Sequence, residues 1–113
     1  MEIDKLTIGE AKQLAAFFGN RAAQDDSHWQ VGKAYFIRTV THHYCGKLIR
    51  VTPQELVLLD AAWVADDGRF HEAIATGKVG EVEPYPDGAE VIVGRGAVCD
   101  AVIWPHALLR VVK

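Results

Sequence analysis

The chain has 113 residues, half of them apolar and 24% charged, which is enough for one compact domain with its own core and too little for two. Twelve Lys and Arg against fifteen Asp and Glu leave a formal net charge of −3, which excludes a general electrostatic grip on a nucleic-acid backbone or an anionic membrane. Uninterrupted apolar runs are a few residues long, far below the roughly 20 needed to cross a bilayer, and the acidic start MEIDKLTIGE does not read as a signal peptide, so a cytoplasmic protein is expected.

Thr7-Ile8-Gly9-Glu10 has the form of a capping box, in which the Thr7 hydroxyl and the Glu10 carboxylate satisfy backbone donors at a helix start. Ile8, Ala11, Leu14, Ala15 and Phe18 then recur at helical spacing and Gly19-Asn20 supplies a stop, which predicts a helix over residues 8 to 18. Residues 20 to 32, with Asp25-Asp26-Ser27 and one large aromatic, Trp29, read as a surface connector. From Lys33 the texture turns β-branched and aromatic, and residues 34 to 41 are a strong strand candidate.

Residues 46 to 51 and 55 to 60 flank Thr52-Pro53-Gln54 and predict a hairpin, with the proline where a ladder donor is not needed. Residues 64 to 90 are less regular. Asp66-Asp67-Gly68 reads as a turn, Phe70 to Ala75 as a helical turn ended by Gly77, and Glu83 to Gly88 as a rigid loop, the whole treated as one insertion. Strand texture returns at residues 90 to 93 and 97 to 104, broken at Gly94-Arg95-Gly96 and closed by Pro105, and residues 108 to 112 suggest a last short strand.

The expected fold class is therefore mainly β: an N-terminal α-helix followed by a small, strongly bent barrel of about five strands, an arrangement that removes sheet edges and lets a short chain bury its apolar faces. The barrel strands fall in residues 34 to 62 and 90 to 104, with residues 63 to 88 as an enlarged loop insertion in a single domain. Gly46-Lys47-Leu48-Ile49-Arg50-Val51 followed by Leu56-Val57-Leu58-Leu59-Asp60-Ala61 resembles the first motif of Sm-like proteins, and Gly94-Arg95-Gly96-Ala97-Val98 resembles the second. The whole chain also resembles small phage and prophage proteins, through Ala62 to Phe70 and Val93 to Ala97. The Sm-like resemblance implies a homo-oligomeric ring of about five to seven subunits joined through strand edges. RNA-binding members of that family read a base with an Asn in each motif. Glu55-Leu56 and Ala97 stand in those regions here, which disfavours RNA recognition of that type.

Several clusters carry reactive side chains. His42-His43-Tyr44-Cys45, with His71 or His106, holds metal-ligating types, but adjacent histidines in a strand point to opposite faces, so neither a metal nor a cofactor is expected. Cys45 beside a histidine lacks an oxyanion motif or an orienting partner, and Cys45 and Cys99 fit a reducing compartment in which a buried free thiol is the commoner state. Asp66, Asp67, His71 and Glu72 suit a solvated turn running into a short helix as well as they suit acid–base work. Gly94-Arg95-Gly96 lacks the third glycine of a dinucleotide fingerprint and suits a tight strand crossing, with Arg95 in an ion pair or offered to an anion.

The remaining inventory is aromatic and guanidinium. Rings stack on a purine face and arginines clamp phosphates, so Tyr44, Trp63, Phe70 and Trp104, with Arg69, Arg95 and His106, are the candidate ligand-binding residues. Three classes of function follow: a non-enzymatic ring holding a small anionic, nucleotide-derived ligand, as in phage proteins that sequester host immune signals; an RNA-binding Sm-like ring; and a phage structural or assembly protein with no ligand. The first is preferred, because these side chains exceed what a purely structural role needs.

Overall fold

The structure is a computed structural model that describes residues 28 to 113, and the helix expected over residues 8 to 18 lies outside them. Six strands form one antiparallel sheet: β1 (Ala34–Thr39), β2 (His43–Val51), β3 (Glu55–Asp66), β4 (Glu81–Pro84), β5 (Val91–Gly94) and β6 (Val98–Ile103). Their order is β4-β3-β2-β1-β6, with β5 also paired to β3. β3 is long enough to carry two partners on one side, β5 along Glu55–Leu58 and β4 along Ala62–Asp66. A single helix, α1 (Phe70–Thr76), and a 3-10 turn at Arg95–Ala97 complete the regular structure of the described residues. The sheet is mainly β as expected and open: among the described residues no ladder joins β6 to β4 or β5.

The sheet is covered on both faces, because consecutive residues of a strand point to opposite sides. On one face Tyr35, Ile37, Leu48, Leu56, Leu58, Ala61, Val91 and Val93 form a buried cluster. On the other face Phe36, Cys45, Ala62, Val64, Val79, Val82 and Trp104 pack beneath Ala73 of α1. β3 serves both clusters in turn, which plain alternation would not allow from Leu56 to Val64. The switch occurs at a bulge: three steps on β3, from Leu59 to Ala62, oppose two on β2, from Lys47 to Cys45. Asp60 takes a left-handed backbone (φ 50°) inside that bulge, a conformation that Asp tolerates better than most side chains.

Gly46 sits opposite the same bulge, and a Cβ there would lie 2.9 Å from Cβ of Ala61 and 3.2 Å from Cβ of Leu58. Gly46 and Asp60-Ala61, quoted in the sequence only as parts of the Sm-like motif, are thus brought together here for a steric reason. The glycine lets two backbones approach while the bulge re-aims β3 from one cluster to the other.

Several expected boundaries move. The hairpin is present, but β2 begins at His43 and β3 runs on to Asp66. The segment expected as one loop insertion opens with the end of β3 and holds α1 and β4, because pairing across β3 supplies a ladder that no local signal announces. The helical turn from Phe70 is present and ends as expected at Gly77, whose φ of 79° lets its N–H donate to the Ala73 carbonyl at 2.8 Å. Residues 108 to 112 form no strand. Leu108 and Leu109 pack on the helix-side cluster, and only Lys113 exchanges backbone hydrogen bonds with Val82, both at 3.0 Å. Trp29, expected on the surface, is half-buried with its ring centroid 5.2 Å from that of Tyr35.

Candidate functional site

The residues singled out as ligand contacts do not converge on one place. Tyr44 and Trp63 do meet. They are direct cross-strand partners of β2 and β3, and Trp63, between the helix-side residues Ala62 and Val64, points to the face opposite α1. His42 joins them, its ring stacked near Tyr44 (centroids 6.0 Å, planes 17° apart) and tilted against Trp63 (5.9 Å, 52°). Residues 83 to 86 form the far wall of the resulting groove, which encloses about 280 Å³. Tyr85 lies between two prolines in that wall, and burial, followed by the neighbouring Tyr44 phenol, raises its hydroxyl above the ordinary tyrosine range. Trp63 is 38% exposed, so its ring is available to a ligand.

The other candidates have structural partners elsewhere. Trp104 lies in the core, stacked on Phe36 (5.7 Å), with its indole N–H donated to the Ala107 carbonyl at 3.0 Å. His106 donates from Nε2 to the Ile74 carbonyl at 2.7 Å and sets its ring edge-on to Trp104, which pins α1 to the C-terminal segment. Its ring fills the space where a Cβ on Gly77 would stand, 2.8 Å from Cγ. Arg95 donates from Nη1 to the Thr52 carbonyl at 2.8 Å, and its own N–H bonds the Gln54 carbonyl at 2.9 Å, which ties the 3-10 turn to the β2–β3 hairpin.

Phe70 packs its ring beneath Arg38, whose guanidinium carbon is 4.0 Å from the ring centroid. Arg38 also forms a two-pronged pair with Asp100 of β6, and that pairing holds the Asp100 carboxyl below its usual range. Arg69 is exposed just before α1: its carbonyl accepts the Ala73 N–H at 2.9 Å, and its side chain makes no hydrogen bond or ion pair among the described residues. It stands before the helix that covers the other face of the sheet from Trp63, so the two are not brought into one site.

The acidic and histidine-rich clusters resolve into local contacts. Asp66 accepts the Gly68 N–H at 2.8 Å, which is the turn chemistry expected there. His42, in the turn before β2, sits by Tyr44 and Trp63, whereas His43 lies by Phe36, with its Nδ1 2.8 and 2.9 Å from the two Asp67 carboxylate oxygens. Among the described residues no three His, Cys, Asp or Glu side chains gather as a metal site. Cys45 is fully buried and Cys99 is exposed at the bulge where β6 meets β1.

Five members of the groove were not anticipated as ligand contacts: His42, Glu83, Pro84, Tyr85 and Pro86. Glu83 stands directly opposite Trp63 only because β4 pairs with β3, and that pairing has no local mark in the sequence. The chain matches no family description, no curated protein and no solved structure among known proteins. No helix among the described residues is long and apolar enough to cross a membrane.

Proposed function

We propose that this is a non-enzymatic, ring-forming protein of Sm-like architecture that holds a small nucleotide-derived ligand, its base stacked in the Tyr44–Trp63 groove. The observation that carries this reading is the convergence of four rings, those of His42, Tyr44, Trp63 and Tyr85, around a groove of about 280 Å³. That volume lies near the lower end of small-molecule sites, enough for a planar base. The lining offers stacking faces and lacks a nucleophile paired with a base, which favours binding over catalysis. Among the described residues its lining contains no guanidinium or ammonium, so phosphate groups extend out of the groove. Within a ring, the exposed Arg69 of a neighbouring copy is a guanidinium that can meet them. In a phage setting, such a ring sequesters a nucleotide signal of host immunity.

The Sm-like part of the reading is supported by the strand order and the bulge at Asp60 facing Gly46. The 3-10 turn at Arg95–Ala97, placed where β5 gives way to β6, supports it too. An assembly role without ligand is favoured by a different feature, the exposed apolar side chains of the edge strand β6. Native mass spectrometry of protein purified from cells separates the two. The ligand reading expects an oligomer carrying extra mass with nucleotide absorbance. Trp63→Ala and Arg69→Ala should lose that mass while keeping the oligomer. An oligomer that stays empty when offered nucleotide pools points to assembly, binding of RNA with a steep salt dependence points to the RNA-binding alternative, and a monomer overturns the ring.

A further inference from the structure

Among the described residues the groove carries one carboxylate and no Lys or Arg side chain. Glu83 stands opposite Trp63 in the β3–β4 ladder and is exposed, and its side chain makes no hydrogen bond or ion pair among the described residues. A phosphate placed beside it would be repelled, so Glu83 has no use as part of an anion clamp. A carboxylate in that position accepts two hydrogen bonds side by side.

The nucleobases differ in what they can return to such a fork. Guanine presents N1–H and the N2 amino group next to each other on one edge. Adenine and cytosine each present an amino group beside a ring-nitrogen acceptor, and uracil a single N–H between two carbonyls, so each of these sets at least one lone pair against the carboxylate. Ring stacking on Trp63 and Tyr44 is indifferent to base identity, which leaves the edge contact to decide it.

We propose that Glu83 selects a guanine-type base in the groove, accepting its N1–H and N2–H while Trp63 and Tyr44 hold its face. This rests on the nucleotide-binding reading above and adds the identity of the base and the residue that reads it.

The test is calorimetric titration of the full chain with guanosine monophosphate, adenosine monophosphate and tetramethylammonium, on the unaltered protein, Glu83→Gln and Trp63→Ala. The expected result is guanosine monophosphate bound at least about tenfold more tightly than adenosine monophosphate. Glu83→Gln should erase or reverse that preference, because the amide sets a donor against a guanine donor while its carbonyl and amino groups match the amino group and ring nitrogen of adenine. Equal affinities for both nucleotides, each lost in Trp63→Ala, would overturn the role of Glu83 and leave the nucleotide reading standing. No binding of either nucleotide would remove both. Tetramethylammonium bound more tightly than guanosine monophosphate would also overturn the inference, identifying the rings and Glu83 as a cage for an organic cation.

Discussion

Cys45 shows how far a single side chain is governed by its surroundings. It is fully enclosed in the helix-side cluster, and burial pushes its thiol from an ordinary 9.0 up to about 12. The unfolded chain therefore gives up this proton at lower pH than the folded one, so the Cys45 contribution to stability is intact below about pH 9 and lost as the pH rises towards 12. Urea unfolding followed from pH 8 to 11 should show a steeper loss of stability in the unaltered protein than in Cys45→Ala, although the alanine variant starts lower for want of packing. Parallel curves would mean that the folded thiol titrates normally. A buried, unreactive Cys45 was legible from the absence of any partner motif. The division between Trp104 in the core and Trp63 in the groove was not, since both stand in strand-like runs and only pairing decides which face is covered.

Among the elements, the bend of the β2–β3 hairpin has the clearest cause. Regular alternation from Leu56 onward would aim Ala62 and Val64 into the same cluster as Leu58. The extra residue at the left-handed Asp60 reverses the phase, so that one strand closes both halves of the core. Gly46 must accommodate Ala61 and Leu58 at this crossing. Gly46→Val should therefore lower the unfolding free energy by about 1–3 kcal/mol, the usual cost of overpacking a closed site. Denaturant titration would read this as a lower midpoint with an unchanged slope, and a midpoint equal to that of the unaltered protein would show that the contact relaxes freely. α1 offers a contrast. At seven residues it is too short to persist on its own, and it holds its place through its buried Ala73 packed on the cluster beneath and the His106 hydrogen bond at its C-terminal end.

At the scale of the molecule, the open sheet leaves β6 paired on one side only among the described residues. Its Val102 and Ile103 are 37% and 43% exposed, and Val102 lies with Phe70 and Ile74 along an apolar groove between β6 and α1. An unprotected apolar edge is a site for pairing with another chain, which is what a ring requires. If the proposed ring forms through this edge, Val102→Lys should yield monomers in light scattering coupled to size exclusion where the unaltered protein gives an oligomer, with the circular dichroism of the sheet unchanged. If the lysine variant assembles as before, the contact between copies lies elsewhere.

The sequence by itself determined the mainly β class, the hairpin around Pro53 and the short helix stopped at Gly77. Each of these is written in a few neighbouring residues: a β-branched run, a turn, a glycine where a left-handed backbone is needed. Only the tertiary structure decided that β3 continues to Asp66 with β4 beside it, that Tyr44 and Trp63 share a groove with His42, Glu83 and Tyr85, and that Arg69 and Trp104 stand away from it. Those outcomes depend on which strands pair and in what register. Pairing and register are set by contacts between residues far apart in the chain, which a reading of local texture does not contain.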